Sequence, residues 1–235
     1  MGTALAMSAA LFPTAMRENQ TSFNGTIGAI ICKNSLATAR MLLRESDVPP
    51  GPPGTWRVID ENNATLISLA DQHYPAGSLD NDPPYDPNTP GLPVVRGCIL
   101  LGRRLSSAPQ ASFQLVAVSY AKLRPLAPGT RPVTAQPVMG NIRNDYAGYE
   151  DRSIFKATTA AYAGWLRIGS PLIFSDGTWA MIKGTANLDG DNGNEAILDR
   201  QLTTAPNDAF VIVEEGDGTF SPAMSVMSTF TGLRQ

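Results

Sequence analysis

Gly2-Thr-Ala-Leu-Ala-Met-Ser-Ala-Ala-Leu-Phe-Pro13-Thr-Ala-Met-Arg-Glu-Asn-Gln20 is the stretch on which the fold of this chain turns. Met1 to Phe12 has no charged side chain, and Arg17-Glu18-Asn19-Gln20 then sets an abrupt polar boundary. Ala, Leu and Met favour helix, and Pro13 is the one proline before Pro49, so a helix with a kink is predicted over residues 1–46. Phe12, Met16, Phe23, Ile27 and Ile31 recur at helical spacing and predict one apolar stripe. Gly25 and Gly28 weaken its middle, each by about 1 kcal/mol relative to Ala. The apolar start falls short of the roughly 20 residues that cross a bilayer, and it lacks the basic flank and cleavage pattern of a secretory signal.

Working outward, residues 47–93 read as a proline-rich linker, because ten of the nineteen prolines fall between Val48 and Pro93. Proline lacks a backbone donor and fixes φ, which excludes helix interior and central sheet. Thr55 to Asp60 and Ala64 to Leu69 are short strand candidates separated by a turn at Glu61-Asn62-Asn63.

Residues 94–235 are predicted to be an antiparallel β domain. Val94 to Leu101 and Ser112 to Leu123 have the β-branched and apolar content of buried strands. In the second, Val116, Val118 and Tyr120 alternate with Phe113, Leu115 and Ala117, so both faces require cover, as in a central strand. Residues 124–163 read as a second Pro/Gly-rich excursion with a short helix near Ile154 to Tyr162. Five further strands are expected: Trp165 to Phe174, Thr178 to Ala186, Glu195 to Leu202, Ala209 to Glu214 and Ala223 to Phe230. Turn signals such as Asp176-Gly177 and Gly216-Asp217-Gly218 punctuate them.

Composition removes several classes of function. A formal charge of -3 gives no basic field for phosphates, so nucleic acid is not expected as a partner. Charged residues are only 17% of the chain, against roughly 25% in soluble domains, which leaves a Ser/Thr/Asn/Gln/Gly surface suited to an extracytoplasmic protein. No phosphate-cradling glycine loop is present. His73, the single histidine, lies in the proline-rich linker with no nucleophile motif to serve, so no enzyme activity and no catalytic residue are expected.

Three residue groups remain as site candidates. Asn187, Asp189, Asp191 and Glu195 bring hard oxygen ligands together and could supply a calcium loop, although the spacing departs from an EF-hand and a polar hairpin turn explains the same letters. No other cofactor is expected. Cys32 and Cys98 have neither zinc nor thioredoxin spacing; they are either two buried free thiols or one disulfide, a choice that geometry decides. Trp56, Trp165 and Trp179 offer either core packing or stacking surfaces for a carbohydrate.

The helix-opening segment quoted above, with its proline shortly before the first polar residues, resembles the second half of the type IV pilin helix found in type II secretion pseudopilins. Gly97-Cys-Ile-Leu-Leu-Gly-Arg-Arg104 and Gly169-Ser-Pro-Leu-Ile-Phe-Ser-Asp-Gly177 are loosely similar to minor pseudopilin strands. The resemblance implies an α+β pilin-like fold, a long kinked N-terminal helix packed on an antiparallel sheet. It also implies a filament subunit whose partners are other pilin or pseudopilin subunits. Leu5, Met7, Leu11, Phe12 and Pro13, within the membrane and filament-core segment formed by residues 1–16, would then contact lipid before assembly and sister helices afterwards. The family's basic leader and its glutamate-bearing segment have no counterpart here, so the expectation is that they precede this sequence. The implied location is the inner membrane, through the full-length helix, with the globular domain periplasmic or at the cell surface. The competing expectation is a soluble extracytoplasmic β-rich binding module.

Overall fold

The computed structural model describes residues 2–48, 54–59, 95–106, 112–122, 133–162, 164–188, 195–203, 208–214 and 223–232, with the helix side chains described from Ser22 onward. The first element, α1 (Gly2–Leu42), passes Pro13 without a break. Its end is closed by Leu43 N–H donating to Ala39 O at 2.8 Å. A 3-10 turn (Glu45–Asp47) follows.

Four strands form an open sheet: β1 (Trp56–Val58), β2 (Val95–Arg104), β3 (Ser112–Lys122) and β10 (Ala223–Gly232). Their order is β1-β2-β3-β10, antiparallel throughout. Between β3 and β10 the chain makes a second body from β4 (Val133–Arg143), β5 (Ile154–Ala157), β6 (Pro171–Phe174), β7 (Trp179–Ala186), β8 (Glu195–Leu198) and β9 (Asp208–Glu214). These close as a ring in the order β4-β5-β8-β7-β6-β9, so that each strand of that body has a paired neighbour on either side along part of its length.

Each face of β3 has its own cover. Leu115 and Ala117 share a core with Cys98 and Leu100 of β2, with Ile31, Cys32, Leu36 and Ala39 of α1, and with Leu43 just past its end. Val116, Val118 and Tyr120 point the other way and share a core with Trp56, Val58, Ile99, Leu101 and Ile173 of the barrel strand β6. The two-residue alternation of a strand thus places α1 on one face of the sheet and the barrel on the other, and explains why β3 is apolar at successive positions. Inside the barrel, Phe155, Leu172, Phe174 and Leu198 interleave with Ala157, Ala180, Ala196 and Ala209, the alternation of large and small side chains that fills a narrow ring.

The expected α+β pilin-like architecture, a long kinked helix packed on an antiparallel sheet, is therefore corrected. The protein is mostly β, built as two antiparallel sheets of which one is closed on itself, and no break marks a kink at Pro13. Proline content misled the reading of residues 124–163, which supply β4 and β5. Pro137 sits within β4 opposite Phe210 of β9, while pairing of β4 with β5 begins only at Gly140. Among the described residues the strand has a neighbour on one side only at Pro137, where a missing N–H is tolerated. The helix expected near Ile154 to Tyr162 is instead β5 followed by a 3-10 turn (Ala160–Tyr162). Of the strand expected at Trp165 to Phe174, Pro171–Phe174 alone is extended; Leu166 is buried in the barrel core, with Trp165 packed beside it, from an irregular segment. The Ala64 to Leu69 candidate lies outside the described residues.

Small residues set how closely α1 approaches the sheet. A Cβ on Gly28 would stand 2.7 Å from Met224 Cβ and 2.7 Å from Ser119 Oγ, too close for either to remain in place. Gly28→Val is expected to lower stability by about 1–3 kcal/mol through overpacking, read as a lower urea midpoint with an unchanged slope.

Candidate functional site

The polar part of the junction between barrel and sheet centres on one buried arginine. Arg103 on β2 sends Nε to Gln114 Oε1 at 2.7 Å and Nη2 to Asp176 O at 2.6 Å, and Nη1 donates to Ser175 O. Gln114 Nε2 donates to Gly177 O at 3.0 Å, and Trp56 Nε1 to Phe174 O at 2.6 Å. The β6–β7 turn thus offers its carbonyls to three side chains of the open sheet. Burial lowers the Arg103 pKa, an effect opposed by the Asp176 carboxylate. The guanidinium also lies 5.2 Å from the centre of the Trp56 ring, a favourable cation–π position. Gly177 adopts φ 91°, a left-handed turn conformation that glycine takes without steric cost.

Beside this junction an open cleft of ≈ 290 Å³ runs between Thr178, Trp179, Arg200, Gln201 and Thr203 of the barrel and Ser228 of β10. Its aromatic wall is already occupied: the Arg200 guanidinium sits 4.6 Å from the Trp179 ring centre and donates to Trp179 O.

The three tryptophans expected as stacking candidates therefore divide. Trp56 is 1% exposed and belongs to the sheet–barrel core. Trp165 is partly buried with its ring 5.3 Å from Tyr162. Trp179 borders the cleft beneath Arg200. No continuous platform forms from them.

Of the calcium candidates, Asn187 is exposed just past the end of β7, and Asp189 and Asp191 lie outside the described residues. Glu195 is 1% exposed. Its carboxylate accepts from Tyr146 Oη at 3.1 Å and from Leu188 N–H, with Lys156 Nζ at 3.9 Å. That carboxylate fastens the β7–β8 connection to the barrel wall, which sequence spacing could not disclose. Among the described residues no group of three or more His, Cys, Asp or Glu side chains is placed to hold a metal. His73 lies outside the described residues.

Cys32 and Cys98 are both buried free thiols, brought together by α1 docking on β2 and β3. Cys32 Sγ lies 3.4 Å from Ala117 O and 3.5 Å from Ser225 O.

The outer surface of α1 is the least expected feature. Phe23 is 60% exposed, Ile30 49% and Met41 59%. Phe23, Ile30 and Ala37 are a heptad apart and share a face, Met41 follows one turn later, and Ala37 is also exposed. The stripe expected through Phe23, Ile27 and Ile31 is thus divided: Ile31 is fully buried against the sheet, Ile27 packs at its margin and Phe23 faces outward. The helix is apolar on two opposite sides, and its own sheet covers one. Leu5, Met7, Leu11, Phe12 and Pro13 belong to the helical backbone upstream of that stripe. Among the described residues no helix is long and apolar enough to cross a membrane.

Comparison of the chain with known protein families, with characterised proteins and with solved structures found no match.

Proposed function

We propose that this protein is a structural subunit of a filament, of the type IV pilus or type II secretion pseudopilus kind, in which α1 packs on α1 of sister copies and the sheet and barrel are displayed outward. One observation supports it above the others: the exposed row Phe23, Ile30, Ala37 and Met41 on the face of α1 away from the sheet. A helix apolar on both sides belongs in a core, and burying each large side chain of the row contributes about 1.5–3 kcal/mol. In this reading residues 1–16 line the filament core, and the globular portion lies in the periplasm or at the cell surface. No catalytic step is assigned. A binding module remains the weaker reading, since Trp56 is internal and Trp179 is capped by Arg200.

Sedimentation of the protein across a wide concentration range tests the proposal, together with Ile30→Cys and mild oxidation. Self-association rising with concentration and a covalent dimer joined through position 30 are expected. A monomer at every concentration, with no dimer cross-linked through the helix, would overturn the assignment.

A further inference from the structure

The buried interface between α1 and the sheet holds a pair of thiols that neither the core nor the filament reading requires. Cys32 lies on the inward face of α1 and is 0% exposed, and Cys98 lies on β2 and is 1% exposed. Both belong to the one buried cluster that fills the space between α1 and the β2–β3 face. Cys98 stands opposite Ser119 in the β2–β3 register, and Ser119 Oγ and Cys32 Sγ lie 3.2 Å and 3.5 Å from the same carbonyl, Ser225 O. Two apolar residues would fill this space equally well. A facing dithiol adds a reaction that they could not perform.

The geometry points to an intramolecular disulfide between Cys32 and Cys98 that staples α1 to β2, formed by exchange with a disulfide oxidant before the helix is fully docked. Atoms and electrons balance in two exchanges. The Cys32 thiolate attacks one sulfur of the oxidant, its proton having gone to solvent, and one thiolate leaves. Cys98, deprotonated in turn, attacks the Cys32 sulfur of the mixed disulfide, and the second thiolate leaves. The protein loses two hydrogens, and the oxidant is reduced to two thiols.

Either order of attack serves, because the exchange precedes the burial that makes the two thiols unlike. The ring so closed spans the proline-rich linker, and restricting that stretch in the unfolded chain raises stability. Oxidation does not depend on the filament proposal, since it requires only this monomer and an oxidant.

The test refolds the reduced protein in a buffer of oxidised and reduced glutathione, then denatures it with an alkylating agent and measures intact mass and peptides. The expected result is loss of both alkylation adducts, a mass lower by two hydrogens, and a peptide joining Cys32 to Cys98. The oxidised protein should also unfold at higher temperature than the reduced one. Cys98→Ala should retain one alkylatable or glutathionylated sulfur at Cys32. Two alkylated cysteines, or glutathione on each without a linked peptide, would overturn the inference, and because the readout is taken on unfolded protein a stability defect in the variant does not obscure it.

Discussion

Arg103→Ala is expected to lower the unfolding free energy by about 3–5 kcal/mol, because three acceptors lose a charged donor at about 1–3 kcal/mol each. The side chain is 8% exposed, and its removal takes one donor each from Ser175 O, Asp176 O and Gln114 Oε1. Water cannot readily replace a planar fork that serves three acceptors at once. Arg103→Lys should recover little, because an ammonium is a point charge without the fork geometry. Urea unfolding, followed by fluorescence, measures both.

Gly177 makes the same prediction sharper. A Cβ there would stand 2.1 Å from Arg103 Nη2 and 2.2 Å from Gln114 Oε1, and φ 91° is left-handed. Gly177→Ala therefore combines backbone strain of about 1–2 kcal/mol with a steric clash against the network. In the Arg103→Ala background the clash with the guanidinium is gone, and some of the cost disappears with it. The two substitutions should be less than additive in a double-mutant cycle. Strict additivity would mean that the turn and the arginine are not one unit.

Sequence discloses the strands whose side chains alternate or whose ends carry Gly and Asp. Ser112 to Leu123 is readable as a central strand because both of its faces are apolar, and it lies between β2 and β10. Residues 124–163 are obscure because Pro137 resembles a strand breaker until its one-sided pairing is seen. The division of strands between an open sheet and a closed ring is also illegible, since ring closure depends on β4 meeting β9, which are far apart in the chain. Among the site residues, Glu195 has the letter of a calcium ligand, but only the fold places Tyr146, Leu188 and Lys156 around it. Arg103 lies in an apolar strand run with nothing to mark its role, because its acceptors include backbone carbonyls, which sequence does not distinguish.

The helix surface gives the other large effect. Phe23 and Ile30 are 60% and 49% exposed in the monomer, so replacing either with Glu should alter monomer stability by no more than about 0.5 kcal/mol. In an assembly with α1 packed on α1, each buried apolar side chain contributes about 1.5–3 kcal/mol, which corresponds to roughly ten- to a hundredfold in the association constant. Ile30→Glu adds the cost of a carboxylate in an apolar seam, and Phe23→Glu with Ile30→Glu should abolish assembly in sedimentation while thermal unfolding of the monomer is unchanged. Ile31→Glu supplies the contrast. That residue is 0% exposed against the sheet, so the same charge one position along should unfold the monomer itself. Equal loss of stability from Ile30→Glu and Ile31→Glu would mean that both sides of α1 serve only the monomer's own fold.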